Sequence, residues 1–140
     1  MTRRDWFLSL LAGGAFLLPA CRSKKPGEFS VKGRIHYRGA PLPGGLIVFV
    51  PDEDRGNSGS LIKTEIQADG SFTLANTVLP GWYLVAVAPP APGGASAPTA
   101  DNPYPAPPAR YRNPRLSGLQ GEIKPGVEND FFFTLEDATG

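Results

Sequence analysis

The stretch Phe29-Ser-Val-Lys-Gly-Arg-Ile-His-Tyr37 decides the fold, because apolar or small residues occupy its odd positions and polar residues its even positions. Successive side chains of a β-strand point to opposite faces, so this spacing predicts a strand that is buried on one face. The same alternation returns at residues 61–67. Leu46-Ile-Val-Phe-Val50 is instead continuously apolar between Gly45 and Pro51, which predicts a central strand buried on both faces.

Turn residues separate these runs. Asp69-Gly70 lies between two alternating segments, and Pro125-Gly126 separates residues 120–124 from residues 128–135. Glycine supplies the positive φ that a tight hairpin turn requires, so each dipeptide predicts a β-hairpin. Residues 82–88 form a further strand pattern. The last strand directs three apolar side chains towards the core: Phe131, Phe133 and Leu135.

The composition favours the same fold class. The chain has 17 Gly and 16 Pro residues, which is typical of many turns between short strands. We expect an all-β fold after the N-terminal segment: a Greek-key sandwich of about seven antiparallel strands in two packed sheets. The formal net charge is only +1. A near-neutral domain has no long-range field to attract a polyanion, so nucleic acid is not an expected partner.

The N-terminus predicts export and lipid attachment. Residues 7–18 form an apolar run of the length of a signal segment, shorter than the roughly 20 residues that span a bilayer. Leu18-Pro-Ala-Cys21 follows and resembles the lipobox of bacterial lipoproteins. The resemblance implies cleavage between Ala20 and Cys21 and transfer of a diacylglyceryl group to the thiol. Cys21 is the only cysteine, so no intramolecular disulfide is expected.

Arg3 and Arg4 leave the export route open between two alternatives. Thr2-Arg-Arg-Asp-Trp-Phe-Leu8 resembles a twin-arginine signal, which is slightly favoured over an ordinary basic start that uses two arginines. We expect the protein in the bacterial cell envelope, attached to the bilayer through acylated Cys21. Arg22, rather than Asp, follows the cysteine, which in Gram-negative lipoproteins favours the outer membrane.

The chain divides into a signal segment (1–20), a lipidated polar tether (21–27), a sandwich domain (28–136) and a tail (137–140). Within the domain, residues 89–114 are rich in Pro, Ala and Gly, which favours extended polyproline geometry or disorder. This segment is either a recognition loop that presents Tyr104 and Tyr111 or a flexible insertion that crosses from one sheet edge to the other. The second interpretation is favoured.

Short motifs of the domain resemble one family. They are Val31-Lys-Gly33, Gly39-Ala-Pro-Leu-Pro-Gly44, Val48-Phe-Val-Pro51, Asp69-Gly-Ser-Phe72 and Pro80-Gly-Trp-Tyr83. Together they are similar to carboxypeptidase regulatory-like domains, and residues 111–119 and 129–135 resemble small lipoproteins abundant in planctomycete-type bacteria. The resemblance implies a transthyretin-like (prealbumin-like) sandwich of seven strands, and it implies no peptidase activity.

The sequence contains few candidate catalytic or metal-binding residues. His36 is the only histidine and is expected on the solvent-facing side of its strand, and no Cys/His spacing suits zinc. Asp52, Asp54 and Asn57 are weak metal candidates, because Arg55 intervenes and a glycine occupies the third ligand position. A solvated loop is the better reading, and we expect neither a cofactor nor catalytic residues.

Three functions stay open. The first is a non-catalytic envelope lipoprotein whose sandwich binds an envelope protein or glycan, or has a structural role. The second is a hydrolase or glycan-processing accessory that uses the acidic loop at 52–57 or the loop at 104–111. The third is a spacer with no specific ligand. Convergence of the loop side chains in a deep pocket would favour the second.

Overall fold

The computed structural model describes residue 14, residues 30–74 and residues 78–138. It contains eight strands, which are β1 (Val31–Tyr37), β2 (Ala40–Pro41), β3 (Leu46–Pro51), β4 (Ile62–Glu65), β5 (Ser71–Leu74), β6 (Gly81–Ala88), β7 (Leu119–Ile123) and β8 (Asn129–Leu135). Two short 3₁₀ helices, Glu53–Arg55 and Ala109–Arg112, are the only helices within the described part of the chain. The prediction of an all-β domain is confirmed.

The strands form two four-stranded sheets. In the first sheet, β1 pairs with β2, β5 and β8, and in the second sheet the order is β4-β3-β6-β7. Every pair is antiparallel except β1 and β8, which run parallel with Val31 opposite Asn129 and Tyr37 opposite Leu135. The first sheet is therefore mixed, whereas the second sheet is wholly antiparallel. A parallel pair needs a long crossover, and the rest of the domain supplies it.

Both predicted hairpins are wrong, although both predicted turns are present. Gly70 and Gly126 have φ values of +80° and +72°, as tight turns require. However, β4 and β5 belong to different sheets, and so do β7 and β8. Each turn carries the chain from one sheet to the other. The two strands that it joins therefore face each other across the sandwich and do not pair by backbone hydrogen bonds.

The core lies between the sheets and is built on aromatic rings. Phe49 lies 5.9 Å from Phe72 and 6.0 Å from Phe131, measured between ring centroids. Phe133 and Leu135 are buried, and Phe131 packs against the same cluster, so the three predicted core residues of β8 are confirmed. A Cβ atom on Gly33 would lie only 2.3 Å from the carbonyl oxygen of Phe131. The small residue at this position lets β8 and Phe72 approach β1.

The other strand predictions hold with one difference. β1 alternates between buried and more exposed residues, as its spacing predicts. β3 lies in the middle of its sheet, but only alternate residues are buried, and Leu46, Val48 and Val50 are half-buried. The prediction of burial on both faces is therefore too strong for the outer face of this sheet.

The sandwich has two distinct ends. β1 begins at Val31 beside the start of β8, and Gly81 at the start of β6 lies opposite Ile123 at the end of β7. We call this the tether-side end, since the tether sequence leads into it; it carries residues 52–61, 78–80 and 124–128. The opposite, far end carries the β1–β2 turn, residues 66–70 and the long segment after β6.

Residues 89–114 belong to this far end. They join β6 to β7, which are neighbours in the same sheet, so the predicted crossing between sheet edges is wrong. The segment contains turns and the second 3₁₀ helix rather than continuous extended chain. Its physical anchor is Tyr111, which is buried in the core.

Candidate functional site

The predicted lipid-acceptor residue lies outside the described residues. The same is true of the cleavage position at Ala20 and of Arg3 and Arg4, so these predictions stay untested by the geometry. Ser30, where description of the domain begins, follows Cys21 by nine residues. A chain of that length spans at most about 30 Å. Among the described residues, no helix is both long enough and apolar enough to cross a bilayer.

In the acidic loop at residues 52–57, the three candidate metal ligands make contacts with three different partners. The Asp52 carboxylate lies 3.5 Å from the Arg55 guanidinium, and the Asp54 carboxylate lies 3.4 Å from that of Arg115. Asn57 Nδ2 donates a hydrogen bond of 2.7 Å to the Trp82 carbonyl. Asp52 and Asn57 are buried, which corrects the prediction of a wholly solvated loop.

These contacts limit how available the three side chains are as metal ligands. Each of the three candidate ligands, Asp52, Asp54 and Asn57, is engaged by a different partner, and two of those partners are cations. Arg55 also stacks on the Trp82 ring, with its guanidinium carbon 4.2 Å from the ring centroid. Within the described ranges, no group of three His, Cys, Asp or Glu side chains is spaced to hold a metal ion.

The two tyrosines of the long segment point inward. The Tyr111 hydroxyl accepts hydrogen bonds of 2.8 Å from the Glu136 backbone N–H and from the Arg110 guanidinium. Tyr104 is half-buried, and its hydroxyl has no hydrogen-bond partner among the described residues. Burial raises the pKa of Tyr104 to about 12, so the hydroxyl stays protonated at neutral pH. Tyr111 is therefore not an exposed recognition side chain, whereas Tyr104 keeps part of its surface exposed.

A cleft of about 190 Å³ opens at the far end. Its polar lining comes from Glu65, Gln67, Ser96 and Asn102, and Tyr104 forms part of its wall. Ser96 Oγ donates to the Ile66 carbonyl at 3.3 Å, which attaches the long segment to the end of β4. The cleft combines one carboxylate with amide groups, a combination suited to hydrogen bonding with a polar ligand. Sequence reasoning missed it because Glu65 and Asn102 are 37 positions apart in the chain.

The outer face of the first sheet is a shallow depression rather than a pocket. Lys32, Arg34, Thr73, Asp130 and Phe132 line it. Lys32 Nζ pairs with a Glu128 carboxylate oxygen at 2.5 Å, and this contact raises the pKa of the lysine. Both charges of that pair are therefore already compensated.

His36 lies on the same outer face. Its ring centroid is 4.8 Å from that of Phe132, and the imidazole is half-buried. The prediction that His36 faces solvent is therefore only partly correct. Phe132 is more than half exposed and covers the imidazole from the neighbouring strand.

The first residues of the C-terminal tail are bound to the far end. We call the contact of Tyr37 and Arg38 with Asp137 the clasp. Arg38 donates to both carboxylate oxygens of Asp137, and the Tyr37 hydroxyl donates to the same group. These donors hold the pKa of Asp137 below its usual value. Asp137, predicted to lie in a free tail, is thus part of the domain. Arg38 has a φ of +53° beside Gly39 at +75°, so the clasp also fixes the left-handed β1–β2 turn.

No family model, curated protein or solved structure matches the chain.

Proposed function

We propose that this chain is a bacterial envelope lipoprotein, held on the membrane by acyl chains on Cys21, whose sandwich is a non-catalytic binding or structural module. The observation that carries the proposal is the position of the lipobox. Leu18-Pro-Ala-Cys21 follows an apolar segment and precedes the first described residue of the domain by nine positions. That spacing leaves a short tether and no second domain between the acyl chains and the sandwich.

The anchor is strong for a physical reason. Each buried CH₂ group of an acyl chain contributes about 0.8 kcal/mol, and one chain alone binds only marginally. A diacylglyceryl group supplies two chains, which gives stable attachment without a transmembrane helix. The proposed location is the cell envelope, and Arg22 after the cysteine favours the outer membrane where there is one.

We further propose that the sandwich is a carboxypeptidase regulatory-like domain with transthyretin-like topology. The motifs that suggest this lie at structurally demanding places. Asp69-Gly70 forms a tight turn in which Asp69 Oδ1 accepts a hydrogen bond from the Ser71 N–H at 3.0 Å. Gly81, in the Pro-Gly motif, has a φ of +139° and lies against the Asn57 side chain.

A non-catalytic role is supported by the contacts that already engage the candidate catalytic side chains. Asp52 and Asp54 of the 52–57 loop face arginines, and the Tyr111 hydroxyl accepts a hydrogen bond from the Glu136 N–H. The hydrolase alternative needs a nucleophile and a base within hydrogen-bond reach of each other. Neither the 52–57 loop nor the 104–111 loop brings such a pair together. The far-end cleft is instead the place where a glycan or protein ligand would find hydrogen-bonding groups.

The test of the anchor is metabolic labelling with a fatty acid, followed by fractionation of membrane and soluble material. We expect label and membrane recovery for the native chain and loss of both for Cys21→Ser. The matched control combines Cys21→Ser with Ser23→Cys, which keeps one thiol but moves it out of the lipobox. Labelling of that control at the native level would contradict the proposal.

A further inference from the structure

Three large apolar side chains are exposed at the tether-side end. Leu61 and Leu79 each keep 57% of their surface exposed, and Val127 keeps 50%. Single exposed apolar residues are common on soluble proteins, so the grouping is what matters. The three residues come from three separate connections of the chain, and the fold brings them to one end.

The strand register places them there. Leu61 precedes β4, whose Ile62 lies opposite Phe49 near the end of β3. Leu79 lies two positions before Gly81, which pairs with Ile123. Val127 lies in the turn that leaves β7 after Ile123 and enters β8 at Asn129, opposite Val31.

One of these side chains borders a groove. Leu79 lines a depression of about 220 Å³ together with Gly59, Ser60, Ile62 and Tyr83, and Leu61 is the chain neighbour of two of these residues. Strands in a sheet are about 4.8 Å apart, so the four strands of the second sheet spread this end over about 15 Å. The end is therefore a broad surface with apolar side chains at its β4 and β7 sides.

The chain itself indicates what covers this end. Residues 21–29 lead into Ser30, beside the start of β1, so the acylated residue of the proposed function attaches to the same end. The extended reach of about 30 Å is an upper limit, and a less extended tether brings the end closer to the lipid. Arg22, Lys24 and Lys25 in the tether supply cations that suit lipid head groups.

The acidic residues nearby do not oppose such contact strongly. Asp54 pairs with Arg115 and Glu128 pairs with Lys32, whereas Glu53, Glu122 and Asp130 are further exposed acids at or beside this end. Lys124 in the β7–β8 turn is an exposed cation. The end thus presents apolar side chains and ion pairs, and the three tether cations counter its remaining acids.

We propose that the tether-side end rests on the bilayer, with Leu61, Leu79 and Val127 in the interfacial layer. The inference rests on the proposed lipid anchor and adds an orientation to it. β1 then rises away from the membrane, and the far-end cleft beside Tyr104 opens towards the aqueous phase. An anchored domain on a loose tether would instead adopt all orientations.

The test uses the full lipidated chain in phosphatidylcholine vesicles that contain a brominated lipid. Cys21 is blocked by its acyl group, so a single introduced cysteine accepts an environment-sensitive fluorophore. The test positions are Leu79→Cys and Val127→Cys, and the control is Ala68→Cys, since Ala68 is exposed but lies in the turn between β4 and β5 at the far end. We expect a blue shift and bromine quenching at positions 79 and 127, and neither at position 68.

Other outcomes overturn the orientation and separate it from the anchor. Vesicle flotation with equal quenching at all three positions keeps the lipid anchor and contradicts the docked end. Failure to float contradicts the anchor and the orientation together. A blue shift at positions 79 and 127 in detergent, accompanied by the mass of a dimer, assigns this end to a second copy of the chain instead. As a second readout, Leu61→Asp with Leu79→Asp should abolish the quenching at position 127, whereas Ala68→Asp at the far end should leave it unchanged.

Discussion

The two ends of the sandwich differ in how they are held together. At the far end, side chains from distant parts of the sequence close the domain: Tyr111 reaches Glu136, and Arg38 clasps Asp137. At the tether-side end, the β7–β8 turn is organised by one buried side chain, that of Asn129, while apolar groups face outward. Polar side-chain contacts hold connections at both ends, but the three exposed apolar side chains Leu61, Leu79 and Val127 are all at the tether-side end.

The turn at the tether-side end is the more vulnerable of the two. Asn129 Nδ2 donates to the carbonyls of Lys124 and Val127 at 3.2 Å, and its Oδ1 accepts from the Lys124 N–H at 2.9 Å. Asn129→Ala leaves these groups without a partner and should lower the free energy of unfolding by about 2–3 kcal/mol in urea denaturation. Asn129→Asp keeps the acceptor for the Lys124 N–H but sets a carboxylate oxygen against the two carbonyl oxygens, so it should cost at least as much. Equal stability of Asn129→Ala and the native chain would show that water replaces the side chain.

At the far end, Tyr111→Phe should cost about 1–2 kcal/mol, because the partly buried Glu136 N–H loses its acceptor. Thermal or urea unfolding measures the change. The phenyl ring still fills the core, so the loss reports the hydrogen bonds and not the packing. A neutral result would mean that the long segment is held by apolar contact alone.

Tyr104→Phe is the matched comparison within the same segment. The Tyr104 hydroxyl is buried and lacks a partner among the described residues, so its removal should leave stability unchanged or raise it by up to about 1 kcal/mol. The same unfolding experiment as for Tyr111→Phe applies. A loss as large as that of Tyr111→Phe would reveal a bound water or ligand on this hydroxyl.

The clasp at Asp137 should give the smallest effect, and it depends on pH. Arg38 and Tyr37 lower the pKa of the folded carboxyl, so their contribution is present above the unfolded pKa of about 4 and is lost as pH falls through the folded value. The pair is exposed to solvent, which limits its size. Asp137→Asn should lower the Tm slightly at pH 7, and the difference from the native chain should vanish in acid. A difference that stays constant with pH would contradict an ionic clasp.

The sequence predicted the strands and turns better than the pairing of the strands within the two sheets. The alternation at 31–37 specifies a half-buried strand because one-face burial requires it. Asp69-Gly70 specifies a turn through the φ of Gly70, but a turn does not decide whether the next strand stays in the sheet or crosses about 10 Å to the other one. Both hairpin predictions failed for that reason, and the parallel pairing of β8 with β1 has no local signal.

The candidate sites also differ in whether adjacent or distant residues form them. The proposal for Cys21 depends only on adjacent residues, the resemblance of Leu18-Pro-Ala-Cys21 to a lipobox. The far-end cleft joins Glu65 to Asn102, and the His36 contact with Phe132 joins residues 96 positions apart. Such pairs are created by the topology, so residue spacing carries no trace of them. The inward direction of Tyr104 and Tyr111 belongs to the same class.

The most direct test of the central claim is the intact mass of the chain purified from the membrane fraction. The account predicts a polypeptide that starts at Cys21 and carries the added mass of a diacylglyceryl group, with or without a further acyl chain. A membrane-extracted or soluble chain that retains residues 1–20 and has an unmodified thiol would contradict it.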